Sequence, residues 1–522
     1  MATYFFSEMP YAIVLNAQYL SSHCSNCFAS TDSMRYCAEK CGQVVYCSDS
    51  CMETDGPWHE NECLAYRSGH RRSNNHYSDV HVRLVGRILT RQRKDNGIAV
   101  LAADFPRHLA KDRRFSDLIA HDRNMKKTYQ YHVTIDDLFR CFVRFFGQTP
   151  LSDVKWSEVA HLFNVAKING FSVTCALSAD PRSLADLGEG VYLNASRFNH
   201  SCKPSMLFAF VGARLVVRLI EEKKVEDGDA ATAQESSKGV PKMSKKEFRD
   251  LTFNYGFGSI WNHASGLSLT SQRLRSLENR YFFRCRCQLC RDKNLSKIQA
   301  DASDVECSSC HQPFVWRRKT GGKMSLKRLC KCRIREGGLE KWLHNAVIQS
   351  EVQWLNNDWD KNMKQVCSSK DVSNSLSILQ KIVSVAEKYW HPSHNLRFGQ
   401  TNEKLMYAWN WKIKELKKTG MQFDEELNCL IKAGETMLQS YLRYAMPYDL
   451  TMAILEQRLA LKYLSQKNEC ETKWERAADL CKMAAQVWKF AGETDSETFL
   501  LNLADSIEKK TLDLCEAQCT DE

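Results

Sequence analysis

Leu138, Phe139, Phe142, Phe145 and Phe146 recur at three- and four-residue intervals, the spacing of one face of an α-helix. Patterns of this kind run from about residue 64 to 168 and predict a helical region. Before it, residues 1–23 read as extended chain, with Tyr4, Phe5 and Phe6 followed by the run Tyr11–Leu15. After it come three strand-like runs, Phe171–Thr174, Met206–Val211 and Arg214–Ile220. Gly212 and Ala213 separate the last two and predict a hairpin. Residues 226–249 are polar and predict a mobile surface loop outside any core.

Beyond about residue 337 the pattern becomes helical throughout. Trp474, Ala477, Ala478, Cys481, Ala484, Ala485 and Trp488 form a stripe that faces a neighbouring helix. Breaks near Pro392, Gly420, Pro447 and Gly492 divide the region into segments that suit helical hairpins stacked as a short solenoid.

A length of 522 residues allows roughly three domains. The hydrophobic share of 43% and charged share of 26% fit an ordinary globular protein. The first 20 residues lack the features of a signal peptide, and no apolar run reaches membrane-spanning length. The 23 cysteines are therefore expected in a reducing compartment, nucleus or cytoplasm, where clustered pairs mean metal and not disulfide. A monomer without membrane contact is expected.

The cysteines carry the densest chemistry. They read Cys24-x2-Cys27-x9-Cys37-x3-Cys41-x5-Cys47-x3-Cys51-x7-His59-x3-Cys63. Eight ligands in paired groups make two closed tetrahedral zinc sites with none left over. Cys47 and Cys51, like His59 and Cys63, are spaced to share one face of a helix. Cys285, Cys287 and Cys290 supply three more sulfurs and need a fourth from elsewhere. Cys307, Cys310, Cys330 and Cys332 form a further candidate set, against the alternative of four reduced thiols.

Formal charge is +11, but metal changes it. Seven thiolates with two Zn2+ contribute −3 and a four-thiolate site −2, leaving about +6. From Trp316 to Arg335 there are nine Lys/Arg and no acid. That segment could make weak contact with nucleic acid or serve nuclear import. It could equally soften the field of nearby zinc thiolates.

Five motifs occur in one order. The Cys24–Cys63 finger contains Tyr46-Cys47 and Trp58-His59. Ile168-Asn169-Gly170-Phe171-Ser172 follows, then Arg197-Phe198-Asn199-His200-Ser201-Cys202-Lys203-Pro204. The last two are Asp250–Tyr255 and Tyr281-Phe282-Phe283-Arg284-Cys285-Arg286-Cys287-Gln288-Leu289-Cys290. This series resembles the SMYD family, lysine methyltransferases in which a MYND zinc finger interrupts a SET domain. The fold class it implies is α+β and multidomain, with a β-rich SET domain split by the finger. A post-SET zinc segment and an all-α, TPR-like C-terminal domain follow. The implied division is 1–23 (end of the first SET half), 24–63 (finger), 64–198 (helical insert and start of core SET), 199–256 (core SET), 257–336 (post-SET) and 337–522 (helical domain).

The resemblance also implies roles. Cys202, 83 residues before Cys285, would complete a third zinc site with Cys285, Cys287 and Cys290. Tyr255 would be catalytic, its hydroxyl orienting the target amine. Asn169, Asn199, His200 and Phe283 would contact S-adenosylmethionine, and Tyr281 would wall the lysine channel. The implied activity is methyl transfer to a protein lysine, histone or other, and MYND fingers take proline-containing peptides. The family's Gly-x-Gly cofactor turn precedes its finger, whereas the first 41 residues here contain no glycine. The alternative expectation is accordingly a weakly active or inactive zinc-finger scaffold acting in transcriptional regulation.

Overall fold

The protein is represented by a computed structural model. It describes all residues except 1, 31–32, 69–75, 96–104, 107, 112, 178–179, 221–244, 251, 254–266, 333–344, 370, 446–448, 467–470, 492–493 and 521–522. The chain packs as two compact units, Met1–Ala264 with Ser276–Cys285, and Ser265–Arg275 with Arg286–Glu522.

In the first unit, β1 (Ala2–Glu8) and β2 (Ala12–Leu15) lead into the finger, which holds the short strands β3 (Arg35–Tyr36) and β4 (Val45–Tyr46). Helices α1 (Asp49–Arg67), α2 (His76–Asp95), α3 (Asp122–Met125), α4 (Tyr131–Phe146) and α5 (Trp156–Asn169) follow. Strands β5 (Gly170–Leu177), β6 (Asp180–Val191), β7 (Asn199–His200), β8 (Met206–Val211) and β9 (Arg214–Ile220) come next. Helix α6 (Lys245–Asp250) and β10 (Thr252–Phe253) precede α7 (Thr270–Tyr281), of which only the residues from Ser276 onward belong to this unit. The expected surface loop at 226–249 therefore needs a correction at its end, where Lys245–Arg249 are helical. Local charge alternation there masks a short helix that has no apolar stripe to announce it.

The strands form small sheets in the orders β1-β9-β8 and β2-β6-β5, with β7 and β10 as a parallel pair. The β8–β9 hairpin closes at Gly212, whose φ of +57° suits a residue without a Cβ. Consecutive Phe5 and Phe6 are both fully buried, against the alternation of a regular strand. A bulge explains this, because Tyr4 pairs with Arg218 and Phe6 with Val217, so that two residues oppose one.

The α4 stripe behaves as its spacing dictates. Ile135, Leu138, Phe142, Phe145 and Phe146 are buried and Phe139 is half-buried. Opposite it lies Gly86 of α2, where a Cβ would meet the Phe146 ring at 2.3 Å, so the glycine permits the close approach. Helix α2 is buried on every side from Val80 to Arg91, three arginines included. A helix buried all round is a core helix, and its charges need partners inside.

In the second unit, α8 (Gln288–Arg291) and α9 (Lys293–Asp301) precede a three-stranded antiparallel meander. Its strands are β11 (Ala302–Glu306), β12 (Pro313–Arg318) and β13 (Met324–Lys327). Seven described helices follow: α10 (Ala346–Ser368), α11 (Val372–Tyr389), α12 (Leu396–Lys418), α13 (Asp424–Leu442), α14 (Leu450–Leu464), α15 (Glu471–Ala491) and α16 (Thr494–Thr520). Successive helices pack on one another. Asn345, Asp371, Asn395 and Asp449 each cap a helix by accepting a first-turn N–H. The α15 stripe is buried at Ala477, Ala478, Cys481, Ala484, Ala485 and Trp488. The Trp488 indole donates to Gln457 of α14 at 3.0 Å, so the aromatic serves helix stacking. No described helix is long and apolar enough to cross a membrane.

Candidate metal centres and active site

Short pieces of backbone position the finger's ligands. Cys24 and Cys27 sit in a tight turn, where the Cys24 amide donates to Ala29 O and the Phe28 amide to Cys24 O, both at 2.9 Å. Phe28 adopts left-handed φ, +64°. The β3–β4 hairpin spaces Cys37 from Cys47, with the Cys37 amide donating to Val44 O at 3.2 Å. Ser48 caps α1 by accepting from the Cys51 amide at 3.2 Å, and α1 then carries Cys51, His59 and Cys63.

The outcome is two interleaved clusters. Cys24, Cys27, Cys47 and Cys51 form one, and Cys37, Cys41, His59 and Cys63 the other, each with its ligand atoms within 4.8 Å of one another. The Sγ–Sγ separations are 3.6 Å for Cys27–Cys47 and Cys47–Cys51 and 3.7 Å for Cys37–Cys63. A disulfide would hold such sulfurs about 2.05 Å apart. Sulfurs about 2.3 Å from a tetrahedral zinc lie roughly 3.8 Å from one another. Donor set and spacing fit zinc, with the first ligand pair joined to the third and the second to the fourth. Sequence spacing had left that pairing open.

His59 shows how the second cluster is oriented. Its Nε2 lies 3.5 Å from Cys41 Sγ, and its Nδ1 faces Glu62 Oε2 at 3.0 Å. A carboxylate on the outer nitrogen fixes the ring and its tautomer. Glu62 also meets Arg87 Nη2 at 2.8 Å and Arg83 Nη1 at 3.4 Å. Arg87 in turn bonds Asp55 at 2.7 Å, and Asp55 accepts from the Tyr46 hydroxyl at 2.8 Å. Burial alone would raise the Glu62 carboxyl, but Arg87, His59 and Arg83 outweigh it and hold the group well below the usual carboxylate range. This network was missed in the sequence. Its trace is Arg83-x3-Arg87-x3-Arg91, one helix face, which reads as solvent-exposed until the acids opposite are known.

The finger is fixed to the sheets as well as to α2. Ala213, at the tip of the β8–β9 hairpin, donates its amide to Cys27 O at 2.9 Å. A Cβ on the adjoining Gly212 would meet that same oxygen at 2.2 Å. Arg91 bonds Tyr11 O and lies 4.6 Å from the Trp58 ring centroid.

A second region surrounds the Asn199–Pro204 motif. Glu8, at the end of β1, accepts from the amides of Asn194 (2.8 Å) and Ala195 (2.9 Å) and from Asn194 Nδ2 (3.2 Å). Those bonds set the turn that enters β7. Burial pushes the Glu8 carboxyl up to about 7, despite the amide donors and the positive charge of Arg197. In β7, Asn199 is exposed and pairs with Thr252, while His200 pairs with Phe253. His200 Nε2 lies 3.4 Å from Cys202 Sγ, and its ring centroid is 5.7 Å from that of Phe283. Cys202 and Cys285 are both buried, with sulfurs 3.9 Å apart across 83 residues of chain.

The remaining predicted residues fall as follows. Tyr281 ends α7, half-buried, and burial raises its phenol. Asn169 ends α5, and its side-chain amide donates to Ile119 O and Val165 O, both at 2.8 Å. Cys287 and Cys290 belong to the second unit, where the Cys290 amide donates to Cys287 O at 3.1 Å. Cys307, Cys310, Cys330 and Cys332 gather in the meander with all sulfurs within 4.8 Å. Tyr255 lies outside the described residues.

Comparison with known proteins agrees with this chemistry. The family model for the MYND finger matches residues 24–63. The N-lysine methyltransferase SMYD2 of Rattus norvegicus is 26% identical over 303 residues, 56% of this chain and 57% of the relative. SMYD2 of Homo sapiens is 25% identical over 303 residues, with the same coverage. SMYD2-B of Xenopus laevis is 24% identical over 314 residues, 59% of each chain. The chain thus spans little more than half the length of the curated relatives it matches. The finger and this similarity together support a place in the SMYD family.

Proposed function

We propose, from this place in the SMYD family, that the protein is a zinc-dependent fold that transfers a methyl group from S-adenosylmethionine to the lysine of a protein substrate. The observation that carries the reading is the Cys202–Cys285 contact, which brings the Asn199–Pro204 motif to the segment holding Tyr281 and Phe283. Cys287 and Cys290 follow Cys285 by two and five residues, within covalent reach, and would complete the third zinc site. Zinc there would pin one wall of the site to another.

The residues present fit the donor. The exposed Asn199 offers an amide, and His200 with Phe283 offers an aromatic pair. When bound, S-adenosylmethionine supplies an electrophilic sulfonium methyl. The chain's task is then orientation and proton management. A lysine amine attacks only when neutral, and a dry channel walled by Tyr281 disfavours its charged form through desolvation. The Tyr255 hydroxyl would orient that amine. Nucleus and cytoplasm are the proposed locations.

Two observations favour a second reading, in which the protein is a zinc-stabilised scaffold. Asn169 has both amide hydrogens committed to backbone carbonyls, and Tyr36 of the finger is 66% exposed, a surface suited to a proline-containing peptide. The deciding assay offers labelled S-adenosylmethionine and lysine-bearing proteins to the full chain. Transfer that falls at least a hundredfold in Tyr255→Phe, with zinc content intact, supports the enzyme. No transfer by the unsubstituted protein supports the scaffold.

A further inference from the structure

The meander of the second unit carries a set of ligands that neither the finger match nor the proposed methyl transfer uses. Cys307 is buried and Cys310, Cys330 and Cys332 are half-buried, all four as free thiols within 4.8 Å of one another. The topology explains how they meet. The first pair lies in the β11–β12 turn and the second just after β13. Because Val315 pairs with Lys327 and Arg318 with Met324, both pairs fall at the same end of the sheet, opposite the 319–323 turn.

The turn holding the first pair repeats that of the finger. The Cys307 amide donates to Gln312 O at 2.9 Å and the His311 amide to Cys307 O at 2.8 Å. His311 has φ +53°, where Phe28 has +64°. Position by position, Cys307, Cys310, His311 and Gln312 occupy the places of Cys24, Cys27, Phe28 and Ala29. A non-glycine residue held in the left-handed region costs energy and persists where something over-determines it. In the finger the turn points two sulfurs at one centre. The meander builds the same turn and closes it with two more sulfurs.

We propose that Cys307, Cys310, Cys330 and Cys332 hold a structural zinc ion additional to those of the finger and the Cys202 segment. Binding replaces four thiol protons with one Zn2+ and leaves a net charge of −2 at the centre. Lys331, between Cys330 and Cys332 in the chain, is exposed and carries a positive charge beside that centre in sequence. The metal would also hold the meander to the helices behind it. Glu306, next to Cys307, is 2.6 Å from His391 Nε2, and the Trp316 indole donates to Tyr389 O at 2.9 Å.

Zinc stoichiometry of the full chain tests this by native mass spectrometry. The Cys310→Ala, Cys332→Ala double variant should carry one zinc fewer per chain than the unsubstituted protein, and Cys310→His alone should retain it. Equal zinc in the unsubstituted protein and the double variant overturns the proposal. If the double variant fails to fold, the unsubstituted protein decides. On alkylation, Cys310 and Cys332 should resist until a chelator is added, while the exposed Cys367 and Cys429 react at once. Prompt modification of Cys310 and Cys332 before chelation overturns the site.

Discussion

Glu62 and Glu8 are each 1% exposed, yet their surroundings treat charge in opposite ways. Glu62, at the junction of finger and α2, is met by Arg83, Arg87 and His59. Glu8, beneath the turn that enters β7, is met by the amides of Asn194 and Ala195 and by the Asn194 side chain. The first carboxyl is held ionised, the second sits near 7. The finger is thus locked by an ionic network, whereas the turn ahead of Asn199 and His200 hangs on a group whose charge is costly. The finger rests on paired charges, and the turn before the motif rests on a carboxyl that burial holds near 7.

Glu62→Ala should produce the largest effect. It takes one of two buried carboxylates from Arg83 and from Arg87, which keep only Asp79 and Asp55, and removes the partner of His59; breaking a buried pair costs about 3–5 kcal/mol. Urea unfolding should show that loss together with release of finger zinc. A change under about 1 kcal/mol would mean that the network is decoration and the contrast false.

Glu8→Gln should act through pH. The folded state keeps a proton on Glu8 up to about 7, whereas an unfolded glutamate releases it near 4.5. The folded state therefore binds more protons in that window, and stability falls as pH rises from about 4.5 to 7. Integrated, the loss is roughly 3 kcal/mol. Glutamine cannot ionise and keeps one accepting oxygen for the two backbone amides, so the variant should lose stability at low pH and its unfolding free energy should lack this slope. An unchanged slope would assign it to another group.

Gly212→Val probes the link between the two regions, since the hairpin tip touches Cys27 O while β9 pairs with β1, which ends at Glu8. Left-handed φ and a carbonyl at 2.2 Å from a new Cβ predict a loss of about 1–3 kcal/mol, seen as a lowered thermal midpoint. A neutral outcome would show that finger and hairpin are energetically independent.

Legibility in the sequence followed range. The finger's ligands, the α4 stripe and the Trp474–Trp488 stripe rest on spacings of ten residues or fewer, and local geometry converts those directly into faces. Cys202 and Cys285 meet across 83 residues, a distance that spacing cannot bridge and that only family resemblance suggested. The buried arginines of α2 defeated pattern reading because charges every fourth residue describe an exposed face equally well. Their burial is decided by Asp55 and Glu62, which come from another helix. Phe5 and Phe6 escaped the period-two rule through a bulge whose cause lies in the register with β9.

The central claim is that metal-held segments assemble a pocket for a sulfonium methyl donor. Titration calorimetry of S-adenosylmethionine into the zinc-loaded full chain tests it most directly. The account predicts saturable binding at micromolar concentration that disappears when a chelator strips the zinc. Absence of heat with the metal in place would contradict it.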